Sequence, residues 1–233
     1  MGKPTKVTTN TPDPIQPQTE NQDKLMRAIA RNDQVIVLGP AGTGKSYIMA
    51  GLASDWYVKR NKNRIIITRP MIPVGEELGH LPGTLEEKVT PWAKPVLNII
   101  RSRIGSGRLE CDLHKNIEII PLQLMRGETF DDAWVLVDEA QNITVEQAKM
   151  LVTRIGVNAK LLINGDLNQK DIDEASGLAW LINTIRKRNM NIPVIEFEID
   201  DCQRSGICRE WLEAIAEETS AKTTITWETV AKR

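Results

Sequence analysis

The chain has 233 residues, 41% of them hydrophobic and 26% charged, with a formal net charge of −1. That is enough chain for one α/β core of ordinary size, and the near-neutral balance excludes a global basic field, so any nucleic-acid surface has to be local. No run approaches the ~18 apolar residues that span a bilayer, the N-terminus has no apolar leader core, and Lys6 stands where a myristoylation signal wants Ser or Thr.

Residues 1–18 carry Pro4, Pro12, Pro14 and Pro17 among Thr, Gln and Asn and read as a disordered tail. From Thr19, TENQDKLMRAIARND predicts a short helix with Leu25, Met26 and Ile29 on one face. VIVL at 35–38 predicts a buried strand, and a Gly-rich turn from Gly39 to Ser46 leads into a helix ending near Arg60. RIIITRP at 64–70 is a second strand, stopped by Pro70, and residues 71–83 predict an ordered Gly/Pro loop. Residues 84–104 have helical character, with Pro91 and Pro95 expected to interrupt or bound the helix. Further strands are predicted at 117–120 (IEII), 134–138 and 160–164 (KLLIN), and the last at 193–199 (PVIEFEI). Thr144 with Gln147 three residues on forms a capping box for a helix to about Ile155. Helices are predicted at about Ser176 to Arg188 and at about 207–218, before a polar tail at 219–233, so the globular unit is 19–218.

Strands alternating with helices predict a mainly parallel sheet flanked by helices, with ligands at the C-terminal ends of the strands. Cys111, Cys202 and Cys208 form no even framework and read as reduced thiols of a cytoplasmic chain. Neither His80 nor His114 lies at zinc-ligand spacing from them.

Several polar groups fall just after strands. GPAGTGKS at 39–46 fits G-x-x-x-x-G-K-[ST] between a strand and a helix. Its backbone N–H groups suit a phosphate, Lys45 the β- and γ-phosphates, and the Ser46 hydroxyl Mg²⁺. The nucleotide-binding set is thus Gly39, Pro40, Ala41, Gly42, Thr43, Gly44, Lys45, Ser46 and the adjoining Tyr47. In WVLVDEAQN at 134–142 an apolar run ends in two adjacent carboxylates. Asp138 reads as the metal-holding acid of a Walker B strand. Glu139 reads as the base that takes a proton from attacking water, which favours hydrolysis over transfer of phosphate to a metabolite. In NGDLNQKD at 164–171, Gln169 can both donate to and accept from a γ-phosphate or water. Arg204, with Arg209 as its competitor, is the candidate for stabilising charge on the transferring phosphate.

The set resembles PhoH-like ATPases. The resemblance rests on QTENQ (18–22), GPAGTGKS, TRP (68–70), GEELGHLPG (75–83), KVTPW (88–92), MRGET (125–129), VDEAQN (137–142), TRIG (153–156) and GDLNQKD (165–171), in that order, across roughly residues 18–215. Such proteins look like the first motor domain of superfamily 1 helicases. The resemblance implies a three-layer P-loop NTPase (RecA-like) fold in which the 160–164 strand lies between the P-loop strand and the Asp138 strand. It implies that Gln22 recognises adenine and that Thr68 and Arg69 lie near nucleic acid; Arg126, one of the local basic residues, is a further nucleic-acid candidate. It departs from the helicases in having length for one motor domain, from which a homo-oligomer is expected, a hexameric ring included, with Arg204 reaching a neighbour's site. No intrinsic nuclease is expected.

The leading reading is therefore a Mg²⁺-dependent ATPase coupled to single-stranded RNA or DNA, with no membrane partner. The alternative is a nucleotide-switched oligomeric module that regulates or assembles protein partners without nucleic acid. Of the six tryptophans, most lie in periodic apolar segments and read as core. Trp92, in the Pro-rich region, is the exception that could stack a base.

Overall fold

The computed structural model describes residues 12–59, 63–71, 85–172 and 174–217, the side chains of 85–88 excepted. Residues 1–11 of the expected tail, the GEELGHLPG segment and the C-terminal tail 219–233 lie outside the described residues.

Six parallel strands form one sheet: β1 (Gln34–Leu38), β2 (Arg64–Thr68), β3 (Ile117–Ile119), β4 (Ala133–Val137), β5 (Lys160–Gly165) and β6 (Val194–Glu196), in the order β3-β2-β4-β5-β1-β6. The implied placement of β5 between β1 and β4 holds. Helices α1 (Glu20–Arg31), α2 (Lys45–Val58), α3 (Leu85–Ile104) and α4 (Ser106–Asp112) precede β3. Helices α5 (Val145–Val152) and α6 (Gly177–Arg188) flank β5, and α7 (206–217) follows β6.

Strand side chains alternate between faces, and the core divides accordingly. Val35, Val37, Ile65, Ile67, Trp134, Leu136 and Leu162 pack with α1–α4, whereas Ile36, Leu38, Ile66, Val135, Val137, Leu161 and Ile163 pack with α5 and α6. Both faces are therefore covered, which is what near-continuous apolar strands require. Capping fixes the helix starts: Thr19 accepts from Gln22 N at the head of α1, and Thr144 and Gln147 form the expected reciprocal box on α5.

Four expectations change. α3 runs unbroken through Pro91 and Pro95. Both prolines lie on its exposed side, four residues apart, while Val89, Ala93, Val96, Leu97 and Ile100 are buried. The carbonyls freed of their donors thus sit on the wet face, where the break proline usually causes is least costly. Residues 12–18, expected in the tail, pack on the domain: Ile15 is buried, and Asp13 O accepts from Arg103 Nη1 at 2.8 Å. The strand expected over 193–199 stops at Glu196 because Phe197 turns inward against Gly39 and a 3₁₀ turn occupies Ile199–Asp201. Trp92 is half-buried on α3 rather than in a loop, and Trp211 on α7 is 65% exposed rather than core.

Candidate nucleotide site

β1 connects through α2 to β2 on one side of it in the sheet, while its neighbour β5 connects through α6 to β6 on the other side. This is a topological switch point, where α/β sheets open a crevice at their carboxyl ends. An open cleft of about 390 Å³ lies there, walled by the P-loop, the ends of β4 and β5, Pro95 of α3 and Arg204.

The loop after β1 is shaped by close contacts. Gly39 has φ 131°, and a Cβ there would lie 2.5 Å from Phe197 O. Gly42 has φ 83°, and a Cβ there would lie 3.0 Å from Arg204 Cδ. Gly39 has no room for a side chain, and at Gly42 the left-handed backbone disfavours one and Arg204 would have to shift. Lys45 opens α2 and is 8% exposed. Its Nζ donates to Gly39 O (2.7 Å), Pro40 O (2.6 Å) and Thr43 Oγ1 (3.2 Å). Burial pulls its pKa below the ordinary lysine value, against the pull of Asp166, Asp138 and Glu139. A buried ammonium at a helix N-terminus, beside N–H groups that themselves favour anions, is a phosphate site in its chemistry.

Ser46 Oγ lies 3.4 Å from Asp138 Oδ1, and Asn164 Nδ2 donates to both, at 2.9 and 2.6 Å. Burial, and then the Glu139 charge beside it, push the Asp138 carboxyl above its ordinary range, with Arg69 and Asn164 pulling the other way. Asn164 Oδ1 is buried without a hydrogen-bond partner. A hydroxyl and an under-neutralised carboxylate on one spot, steadied by the Asn164 amide, are a donor set that fits Mg²⁺, which takes one or two protein oxygens and completes its shell with phosphate and water. Among the described residues no cluster of three or more His, Cys, Asp or Glu forms a separate metal cage.

Glu139 follows with φ 54° and ψ 39°, a left-handed conformation uncommon outside Gly, Asn and Asp. Gln141 Nε2 donates to its Oε2 at 2.6 Å, and Arg69 Nη2 stands 4.0 Å from its Oε1. Gln141 Oε1 in turn accepts from Asp166 N at 3.0 Å. Asn142 exchanges two bonds with Asp171, giving Nδ2 to Oδ2 (3.0 Å) and accepting from its N–H (2.8 Å). The exits of β4 and β5 are thus stapled together. Asn164, Gln141 and Asn142 are the site residues that sequence reasoning missed. Their signal was present, Gln141 and Asn142 just after the Walker acids and Asn164 at the end of the KLLIN run, but Ser46, Asp138, Asp166 and Asp171, which they bond, come from other segments of the chain.

Of the expected residues, Gly39, Ala41, Gly42, Gly44, Lys45, Ser46, Tyr47, Asp138, Glu139, Gln169 and Arg204 line the cleft together, and so does Arg69. Pro40 lines an adjoining cavity behind the loop, and Thr43 is fully buried, its hydroxyl donating to Pro40 O. Gln22 does not reach the cleft. It is buried against the loop, Nε2 donating to Thr43 O (3.0 Å) and Oε1 accepting from Gln18 N (2.7 Å), so here it braces the P-loop rather than presenting its amide to a base. Arg204 lies over Gly42 of its own chain, with Gln203 N bonded to Gly42 O. Arg209 is drawn off by Asp200 and Glu213. Thr68 is buried at the end of β2, its hydroxyl unpartnered, and Arg126 is exposed outside the cleft. Other basic residues are committed to structure: Arg64 to Glu118, Arg103 to Asp55 and Arg186 to Glu196.

A family model and the curated relatives agree on one family. A family model described as PhoH-like protein matches residues 14–216. Protein PhoH of Escherichia coli K12 is 36% identical over 206 residues, covering 86% of this chain and 58% of that protein. The PhoH-like protein of Bacillus subtilis 168 is 39% identical over 203 residues, covering 86% and 63%. That of Mycobacterium tuberculosis H37Rv is 37% identical over 205 residues, covering 87% and 58%. The chain spans about three fifths of the length of these curated relatives. Among solved structures, the Pif1 helicase from Candida albicans aligns with a TM-score of 0.40 at 14% identity over 79% of this chain and 40% of that one. Bacteroides Pif1 bound to ssDNA gives 0.35 at 15% over 79% and 42%.

Proposed function

The chain belongs to the PhoH-like protein family, and from that premise we propose that it is a Mg²⁺-dependent ATPase whose turnover is coupled to single-stranded RNA or DNA. The observation that carries the proposal is the convergence of Lys45, Ser46, Asp138, Asn164, Glu139 and Gln169 on one cleft at the switch point.

The chain's own groups divide the work. The P-loop amides and Lys45 take the phosphates, and Lys45 gives up its bonds to loop carbonyls for bonds to phosphate oxygen. Ser46 and Asp138 are the residues that hold Mg²⁺, with Asn164 orienting both. When bound there, the ion withdraws charge from the phosphate oxygens. Glu139 accepts the proton of the attacking water, with Gln141 fixing its carboxylate. Gln169 donates to the terminal phosphate or orients the water. Arg204 adds positive charge in cis above Gly42.

Nucleic acid enters the proposal through Arg69, half-exposed on the cleft rim, and through the half-buried Trp92 beside it in an adjoining small cavity. Both suit a stacked, phosphate-bearing strand. A second reading, a nucleotide-switched module acting on protein partners, is favoured by one observation. α7 exposes Ile207, Trp211 and Ile215 at four-residue spacing, an apolar stripe of the kind that meets a partner. A homo-oligomer, a hexamer included, belongs to the proposal through that stripe, not through Arg204.

The test is steady-state ATP hydrolysis with and without single-stranded RNA and DNA, beside Glu139→Gln. Stimulation by one polymer, lost in the variant, supports the nucleic-acid reading and names the track. Glu139-dependent turnover that neither polymer changes moves the assignment to the switch module. Wild-type turnover in Glu139→Gln removes Glu139 as the base.

A further inference from the structure

Arg69 occupies a junction. In the register of β2 on β4, Thr68 pairs with Val137, and Asp138 N donates to Thr68 O at 3.0 Å. The residue after Thr68 therefore leaves the sheet alongside the two Walker acids. Its guanidinium lines the nucleotide cleft on one side. On the other it lines the small cavity formed by Thr68, Trp92, Ile119 and Pro121. Its only recorded ion pair among the described residues is with Glu139 Oε1, at 4.0 Å, and both side chains are 37% exposed.

The two oxygens of the Glu139 carboxylate thus have different neighbours: Oε2 accepts from Gln141, and Oε1 faces Arg69 at 4.0 Å, an ion-pair distance beyond hydrogen-bond reach. The two engagements differ in kind. Gln141 is buried and holds Glu139 at 2.6 Å while also bonding Asp166 N. Arg69 is long-range and wet. A base must keep a lone pair for the water it deprotonates, and a cation that holds one oxygen of the carboxylate turns it from that task. A guanidinium at 4.0 Å also spends few of its five donors on the carboxylate. Its planar fork suits bidentate capture of a phosphodiester better than this single contact.

We propose that Arg69 is a latch on Glu139: it restrains the base in the free protein and is drawn off when a phosphodiester of a single-stranded nucleic acid takes its guanidinium. The proposal rests on the reading of Glu139 as the base and of nucleic acid as the partner. A half-exposed ion pair is weak, so the restraint is modest, about twofold to fivefold. That weakness is what allows a bidentate phosphate contact to undo it.

The sign of one substitution separates this role from the obvious rival, an arginine acting on the transferring phosphate. Under the latch, Arg69→Ala raises the rate of ATP hydrolysis in the absence of polynucleotide by about twofold to fivefold, and stimulation by single-stranded RNA or DNA shrinks by the same factor. Arg69→Lys, which keeps the charge but not the fork, loses part of the stimulation. Polynucleotide affinity, read by fluorescence anisotropy in the Glu139→Gln background, falls on adding Arg69→Ala. Adding Arg69→Ala raises the residual hydrolysis of that background by a smaller factor than it raises that of the wild type, because the latch acts through the Glu139 carboxylate. A basal rate that falls tenfold or more in Arg69→Ala overturns the latch and makes Arg69 a group on the phosphate. An unchanged basal rate overturns it as well. A raised basal rate in a protein that no single-stranded polymer stimulates overturns the phosphodiester as the releasing group. If Glu139→Gln hydrolyses ATP like wild type, the reading of the base is lost and the latch with it; the Arg69 outcomes above leave that reading standing.

Discussion

The two ends of the sheet each bury a lysine, and to nearly the same degree: Lys160 at the foot of β5 is 7% exposed and Lys45 at the head of β1 is 8% exposed. Lys160 donates to Ile29 O at 3.0 Å and to Asn32 O, stands 3.6 Å from Asp33, and lies over the rings of Trp56 and Trp134. It sits at the C-terminus of α1, where the helix dipole welcomes a cation. Lys45 sits at the N-terminus of α2, where the dipole opposes one, and its donors go to carbonyls of its own loop. The difference teaches where the molecule spends its polar groups. A buried cation with fixed, complementary partners holds the fold together. One in the wrong half of a dipole, with movable partners, is kept for something that arrives later.

The largest expected effect comes from exchanging the roles by one substitution at each end. Lys45→Met should lower ATP hydrolysis by about 10²–10³-fold, the scale of losing one preorganised group on developing charge, with thermal stability unchanged or raised. Lys160→Met should leave hydrolysis per folded molecule unchanged and cost about 2–4 kcal/mol, since it orphans buried carbonyls at the end of α1. Parallel thermal melts and turnover assays check both, and a large loss of stability in Lys45→Met would break the comparison.

The same contrast explains what was legible in the sequence. GPAGTGKS and VDEA were readable because their chemistry is local: a strand, a turn and a helix start within a dozen residues. The three-layer parallel fold followed from the alternation of elements. The foot of the sheet was not readable, since nothing local marks Lys160 as the staple of a helix more than a hundred residues earlier. The bond of Gln22 to the P-loop was not readable for a related reason. The P-loop carbonyl that claims its amide comes from another element. The prolines of α3 misled because proline's penalty depends on which face it lies on, and that face is set by the packing of Val89, Val96 and Ile100.

A smaller effect should appear at Asp138. Its carboxyl is held above the ordinary range by burial and by Glu139, so the charge strains the free protein. Asp138→Asn should therefore stabilise it by about 0.5–2 kcal/mol while weakening Mg²⁺-dependent nucleotide binding. Melts with and without Mg²⁺ and nucleotide would show the two effects with opposite sign. Equal destabilisation in both conditions would mean that the acid belongs with the structural groups, like Lys160.

The smallest expected effect is a pH slope. Burial depresses the pKa of Lys45 below 10.5, so the folded chain sheds this proton before the unfolded chain does. In the window between the two pKa values the unfolded state binds more protons, and stability rises with pH there. Nucleotide affinity should fall through the same window as the ammonium is lost. Denaturation and nucleotide titrations at a series of alkaline pH values, beside Lys45→Met, would test both slopes; the variant should show neither.

The staple between the β4 and β5 exits sets a limit on how the cleft can respond. Gln141 joins Glu139 to the backbone of Asp166, and Asn142 joins the same turn to Asp171, on either side of Gln169. Bonds shared this closely couple their members by about 0.5–3 kcal/mol. Glu139 and Gln169 therefore do not adjust one at a time. A displacement that begins at either residue is shared with the other, and the two respond together rather than as independently moving side chains.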